Sequence, residues 1–208
     1  MERVKRPRPE GQRTLRAERA EVTRRRIAAA ARRLFAQDGY GATTIKAISV
    51  EAGVAVQTVY AVYGSKIRIL DTLREEAMQQ PEADASVVAA MREQAIPRRL
   101  DLFARSIRQR WELAGDIVAI ARDAAASDPA ARAGVEETLR VRRAGIAGLA
   151  QSLERALRPD VDVARTSAIL DALTLPEVYA ELVDVQGWTP DEFEAWLGAT
   201  LRGELLGR

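Results

Sequence analysis

Two short apolar runs joined at one glycine constrain this chain more than any other feature. Residues 44–63 read Thr-Ile-Lys-Ala-Ile-Ser-Val-Glu-Ala-Gly-Val-Ala-Val-Gln-Thr-Val-Tyr-Ala-Val-Tyr. Thr43 or Thr44 offers an N-cap to a helix from Ile45 to Ala52, Gly53 breaks it, and a second helix from Val56 to Tyr63 ends at Gly64. In such a pair the first helix braces the second. Ile45, Ile48, Val54 and Val59 must then face inward, and the turn residue must tolerate a left-handed backbone, which Gly53 does. Val62 and Tyr63 look mostly inward. Val56, Gln57, Thr58, Tyr60 and Ala61 are left facing outward, small or uncharged groups able to approach base edges and phosphates.

The rest of the chain reads as helix. Leu15 to Gln37 carries Ile27, Ala31, Leu34 and Phe35 at helical spacing and stops before Gly39, a C-terminal cap. Ser65 caps a longer helix through Ile67, Leu70, Leu73 and Ala77 toward Gln80. Beyond Pro81 no period-2 run bounded by turn residues occurs, so no sheet is expected and the fold class is all-α. Helices are expected over 85–95, 98–114, 116–126, 129–158 and 162–173. Thr174-Leu175-Pro176-Glu177 reads as a capping box, opening a helix that buries Val178, Tyr179, Leu182 and Val183 and stops at Gly187. Thr189-Pro190-Asp191-Glu192 repeats the device, with Trp188 expected to staple onto Phe193.

Composition narrows the chemistry. Cysteine and histidine are both absent from the 208 residues. That excludes disulfides, thiolate metal sites, a thiol nucleophile and every Ser-His or Cys-His triad. An enzyme would rely on carboxylates, lysine or arginine, yet Asp116, Asp123, Glu136 and Glu137 form no pair suited to acid–base work or to a metal. No catalysis, cofactor or metal is expected. No apolar run suits a signal peptide or membrane span, so no membrane partner is expected, and the cytoplasm is the expected compartment. Net charge is +2, but residues 1–70 hold 15 Lys or Arg against 6 Asp or Glu, a balance of +9, and the remainder carries −7. One end is built for a polyanion.

Arg26 to Leu70 resembles the TetR family of bacterial transcriptional regulators. The matching features are Ile27, Leu34-Phe35, Gly39-Tyr40, Ala42-Thr43-Thr44, Ala52-Gly53-Val54, Thr58-Val59-Tyr60, Tyr63 and Ser65-Lys66, in order and at family spacing over about 45 residues. The tail Gly187-Trp188-Thr189-Pro190, with Trp196-Leu197, looks like the end of many members. The resemblance implies an all-helical homodimer: an N-terminal three-helix helix-turn-helix DNA-binding domain, then a larger C-terminal helical domain for ligand binding and dimerisation. It further implies a repressor released from an inverted-repeat operator on double-stranded DNA by a small molecule. Carried over by position, Thr44, Tyr60 and Lys66 match phosphate contacts, and Val56, Gln57, Thr58 and Ala61 match the base-reading face; Lys46 joins the DNA-binding set. Ala55 departs from a frequent Ser N-cap, Ser49 from a common alanine, and Ala61-Val62 from an often polar pair.

The expected organisation is a disordered basic arm over 1–14, a DNA-binding domain over 15–64, and an effector-binding and dimerisation domain over 65–208. The arm either touches phosphates or the minor groove, or is a solvated tail. Phe103, Ile107, Trp111, Arg142 and Tyr179 are the expected effector residues. Arg142 falls inside an apolar stripe, so it must reach a carboxylate such as Asp116 or Asp171, or solvent, or an anionic ligand. Phe193, Trp196, Leu197 and Leu201 are expected at the dimer interface. A DNA-binding activator or architectural protein without an effector is the alternative.

Overall fold

A computed structural model describes residues 10–206, with side chains from Ala17 onward. The arm expected over 1–14 falls outside the described residues as far as 9 and is helical from Glu10. The described residues form ten α-helices and no strand: α1 (Glu10–Asp38), α2 (Ile45–Ala52), α3 (Val56–Tyr63), α4 (Lys66–Met78), α5 (Pro81–Arg92), α6 (Ile96–Ser127), α7 (Pro129–Leu153), α8 (Val163–Leu173), α9 (Pro176–Ala180) and α10 (Pro190–Leu205). No single helix among them is long and apolar enough to cross a membrane. The chain divides into two compact units at Leu73/Arg74.

In the first unit, Ile27, Ala30, Ala31 and Phe35 from α1 form a core with Ile48, Val59, Tyr63, Ile69 and Leu70. Gly39, at φ 84°, ends α1 as expected. Ile48 and Val59 are buried; Ile45 and Val54 are half-buried.

In the second unit α6 is the central helix, giving Leu100, Ala104, Ile107 and Trp111 to a cluster with residues from α7, α8, α9 and α10. Three expectations change here. First, α6 runs unbroken through Gly115, where two helices were expected. A glycine inside a helix costs about 1 kcal/mol. Burial of Trp111 and Ala114 on one side and Ile117, Ile120 and Ala121 on the other outweighs it. Second, Thr174 makes no capping box. It is buried, its hydroxyl donates to the Leu170 carbonyl at 2.6 Å, and Glu177 pairs with Arg122 instead. Helix α9 starts without a side-chain cap and passes into a π turn over Glu181–Val185, before Gly187 at φ 77°.

The third correction concerns α10. Its capping box at Thr189 and Glu192 is present, but Trp188 meets Trp196 edge-on at 6.0 Å, and Trp196 in turn meets Phe193. Phe193, Leu197 and Leu201, expected between subunits, are 0 % exposed within one chain. Each such burial stabilises the chain by roughly 1.5–3 kcal/mol, so they offer no surface to a second copy. Trp196 stays half-buried.

Candidate nucleic-acid interface

The presented helix α3 is held at its two ends, and α2, which precedes it, is tied to α1. Gly53 makes the turn before it at φ 62°, its N–H reaching the carbonyls of Ser49 and Val50. Arg33 of α1 forks onto one oxygen of Glu51 in α2, Nε at 3.1 Å and Nη2 at 2.7 Å. Tyr63, at the end of α3, donates its hydroxyl to the Arg24 carbonyl at 3.1 Å, with the Arg24 guanidinium 5.3 Å from its ring centroid. Ala55 starts α3 with no side-chain cap, the local loss foreseen from its replacing a hydroxyl residue.

With the inner face spent in this way, α3 turns Gln57, Tyr60 and Ala61 to solvent and leaves Val56 and Thr58 half-buried. Tyr60 is 53 % exposed. On α2, Lys46 is exposed, and exposed Thr44 caps the helix, its hydroxyl oxygen accepting from the Ala47 N–H at 3.1 Å. The arrangement can set an uncharged, hydrogen-bonding ridge into a groove, with a helix N-terminus and basic groups beside it for phosphates.

Lys66 sits differently from the other candidates. It is half-buried, and its ammonium donates to the carbonyls of Tyr40 at 2.7 Å and Thr43 at 3.0 Å and lies 4.2 Å from the Tyr40 ring centroid. Two residues were missed in the sequence. Arg26 is exposed with its guanidinium over the turn at Gly53, and Val50 is 74 % exposed on α2. The run Arg24-Arg25-Arg26 just ahead of Ile27 was the available signal for the first; nothing local marked the second.

Residues 27–73 match the family model described as bacterial regulatory proteins, tetR family. Over these residues, which run from α1 into α4, the chain is similar to the TetR family of regulators. No curated protein matches it. Solved structures resemble the chain along most of its length. They include the fatty acid degradation regulator FadR from Bacillus halodurans, at 15 % identity and a TM-score of 0.69, covering 89 % of this chain and 97 % of that one. A transcriptional regulator from Saccharomonospora viridis in complex with choline has 22 % identity and a TM-score of 0.67, covering 89 % and 98 %. NalD, the secondary repressor of the MexAB-OprM multidrug efflux pump in Pseudomonas aeruginosa, has 19 % identity and 0.67, covering 91 % and 98 %. At these identities the likeness is one of fold.

The residues expected around an effector are gathered in the second unit of the chain. Ile107, Trp111 and Tyr179 are buried in one cluster, with Phe103 packed against it, and Tyr179 meets Phe193 edge-on at 5.0 Å. Arg142 pairs with the Asp171 carboxylate and donates to the Asp171 carbonyl at 2.9 Å and the Thr174 hydroxyl at 2.8 Å. Trp111 Nε1 donates to the Thr174 carbonyl at 3.1 Å. Burial, with Arg122 and Arg143 nearby, lowers Arg142 below its usual pKa, and burial raises Tyr179, helped by Glu112 and Asp184. None of the five lines the open groove of about 490 Å³ between α6 and α10, which is walled by Asp101, Arg105, Arg108, Asp191, Glu194 and Arg202. Among the described residues no acidic cluster is placed to hold a metal.

Proposed function

We propose that this protein is a homodimeric repressor of the TetR family that binds an inverted-repeat operator and leaves it when a small molecule occupies the second unit. The observation that carries the DNA-reading part is the outward face of α3. Its inner residues are consumed in packing, while Gln57, Tyr60 and Ala61 remain for a groove. In this reading Thr44, Lys46 and Tyr60 touch phosphates and Val56, Gln57, Thr58 and Ala61 read bases, Gln57 pairing with adenine and the apolar groups meeting thymine methyls. Two recognition helices one DNA turn apart, roughly 34–36 Å, call for dyad symmetry in the site.

Support for repression and for a small-molecule effector comes from relatives of the same fold, NalD being named a repressor and the Saccharomonospora viridis regulator being bound to choline. The effector site of this reading lies in the cluster of Phe103, Ile107, Trp111 and Tyr179, with Arg142 joined to Trp111 through Thr174. A second reading, DNA binding without an effector, is favoured by one observation. Arg142 already has a carboxylate, a carbonyl and a hydroxyl as partners, so it needs no ligand to satisfy it. Selection of bound duplexes from a random pool tests the first half, with a motif lacking dyad symmetry counting against it. Repeating the selection with amphipathic cations, anions and neutral compounds tests the second half. Binding indifferent to all of them favours the effector-free reading.

A further inference from the structure

The Lys66 ammonium is turned into the protein. Its two carbonyl partners, Tyr40 and Thr43, bracket the turn between α1 and α2. That turn is held from its other side as well: Thr43 is 3 % exposed and donates its hydroxyl to the Gly39 carbonyl at 2.8 Å, and the Tyr40 ring packs 5.1 Å from Phe35. The residue that leaves the turn is Thr44, whose side chain caps α2. Two of the ammonium's three donors go to carbonyls and the Tyr40 ring lies 4.2 Å away, so a phosphate would have to compete with partners that already suit the charge.

We infer that Lys66 is a positioning residue for DNA binding: it pins the turn between α1 and α2, and so the N-terminus of α2 and Thr44, and makes no phosphate contact of its own. This rests on the DNA-binding reading and assigns Lys66 a role opposite to the one its position in the motif implies. The α2 amides and Thr44 hydroxyl meet the backbone, and Lys66 sets where they stand.

The two roles differ in what salt does. A protein that gives up one phosphate contact loses about 0.9 from the slope of log affinity against log salt. A protein whose contact-making helix is loosened keeps its charges at the interface and loses affinity with the slope retained. The test uses the full chain, Lys66→Met, a mixed-sequence duplex and a duplex selected from a random pool. Expected are a roughly tenfold fall in affinity on both duplexes with the slope changed by less than about 0.3. In the DNA-free protein, amide exchange over residues 43–46 rises about tenfold. Lys66→Met made on Thr44→Ala is expected to cost less than on wild type, because the two act through one element. A slope reduced by about 0.9 with unchanged exchange, or additive losses in the Thr44 cycle, overturns the inference. Should Lys66→Met fail to fold, Lys66→Gln, which also removes the charge, is read by the same slope and exchange. Wild type that bound neither duplex would instead defeat the DNA-binding reading on which the inference stands.

Discussion

At Gly53 one residue carries both a backbone requirement and a close approach. Its φ of 62° lies in the left-handed region, and an added Cβ would sit 2.8 Å from Arg26 Nη2. The backbone part costs an L-residue about 1–2 kcal/mol, and the mobile guanidinium can yield. Gly53→Ala is therefore expected to lower stability by about 1–2 kcal/mol in denaturant unfolding. Arg26→Ala in the same chain should recover little of it. Full recovery would mean the contact, and not the backbone, sets the cost. Arg142 shows what single residues conceal. Its place in an apolar stripe demands partners, Asp171 among them, but no local signal distinguishes an internal ion pair from a ligand site.

Helices in this chain respond to their caps and to their buried faces, and the two can be tested separately. In α6, a Cβ at Gly115 would meet nothing within 4 Å, so Gly115→Ala is expected to stabilise by about 0.5–1 kcal/mol through helix propensity and a less flexible unfolded chain. A destabilised variant would show that α6 needs flexibility at this point. In α10, the Thr189 backbone N–H and hydroxyl hold Glu192 below the usual carboxylate range. A folded pKa below the unfolded one adds stability above the unfolded value, and this is lost as pH falls through the folded value. Glu192→Ala should then lower the melting temperature at neutral pH and make little difference in strong acid. An equal loss at both would leave the capping box without a charged contribution. The contrast between Thr189, which makes its box, and Thr174, which does not, arises because Thr174 is buried beside Arg142 and Trp111. A cap motif specifies possible bonds, and tertiary neighbours can outbid them.

At the scale of the whole molecule, the proposed homodimer needs a surface that one chain leaves uncovered. With Phe193, Leu197 and Leu201 enclosed, a dimer made through the C-terminal helices has to use the opposite sides. There α10 exposes Ala195 and Ala199, and α8 exposes Ala164, Ala168 and Ala172. Small side chains let helices approach closely, and a charge placed between them is costly to desolvate. Ala199→Glu and Ala168→Glu are expected to weaken self-association at least tenfold in sedimentation, about 1.4 kcal/mol, with the monomer fold retained. Leu197→Ala should instead destabilise the fold itself by about 2–5 kcal/mol. A dimer indifferent to both glutamates would move the interface elsewhere.

The amino-acid order alone determined the all-helical class, the turn at Gly53, the inward set around Ile48 and Val59, the outward set of Gln57, Tyr60 and Ala61, and the basic first third. These follow from caps, glycine conformations and helical spacing, which act between residues a few positions apart. Tertiary structure decided that α6 would run through Gly115, that Thr174 would bond backward and not forward, that Lys66 would point into its own domain, and that the apolar face of α10 would be spent inside one chain. Each of these is a competition between a local signal and partners distant in sequence, such as Asp171 for Arg142 and Tyr40 for Lys66. Periodicity reveals that a face is apolar but carries no information on which surface, its own or another copy's, will cover it.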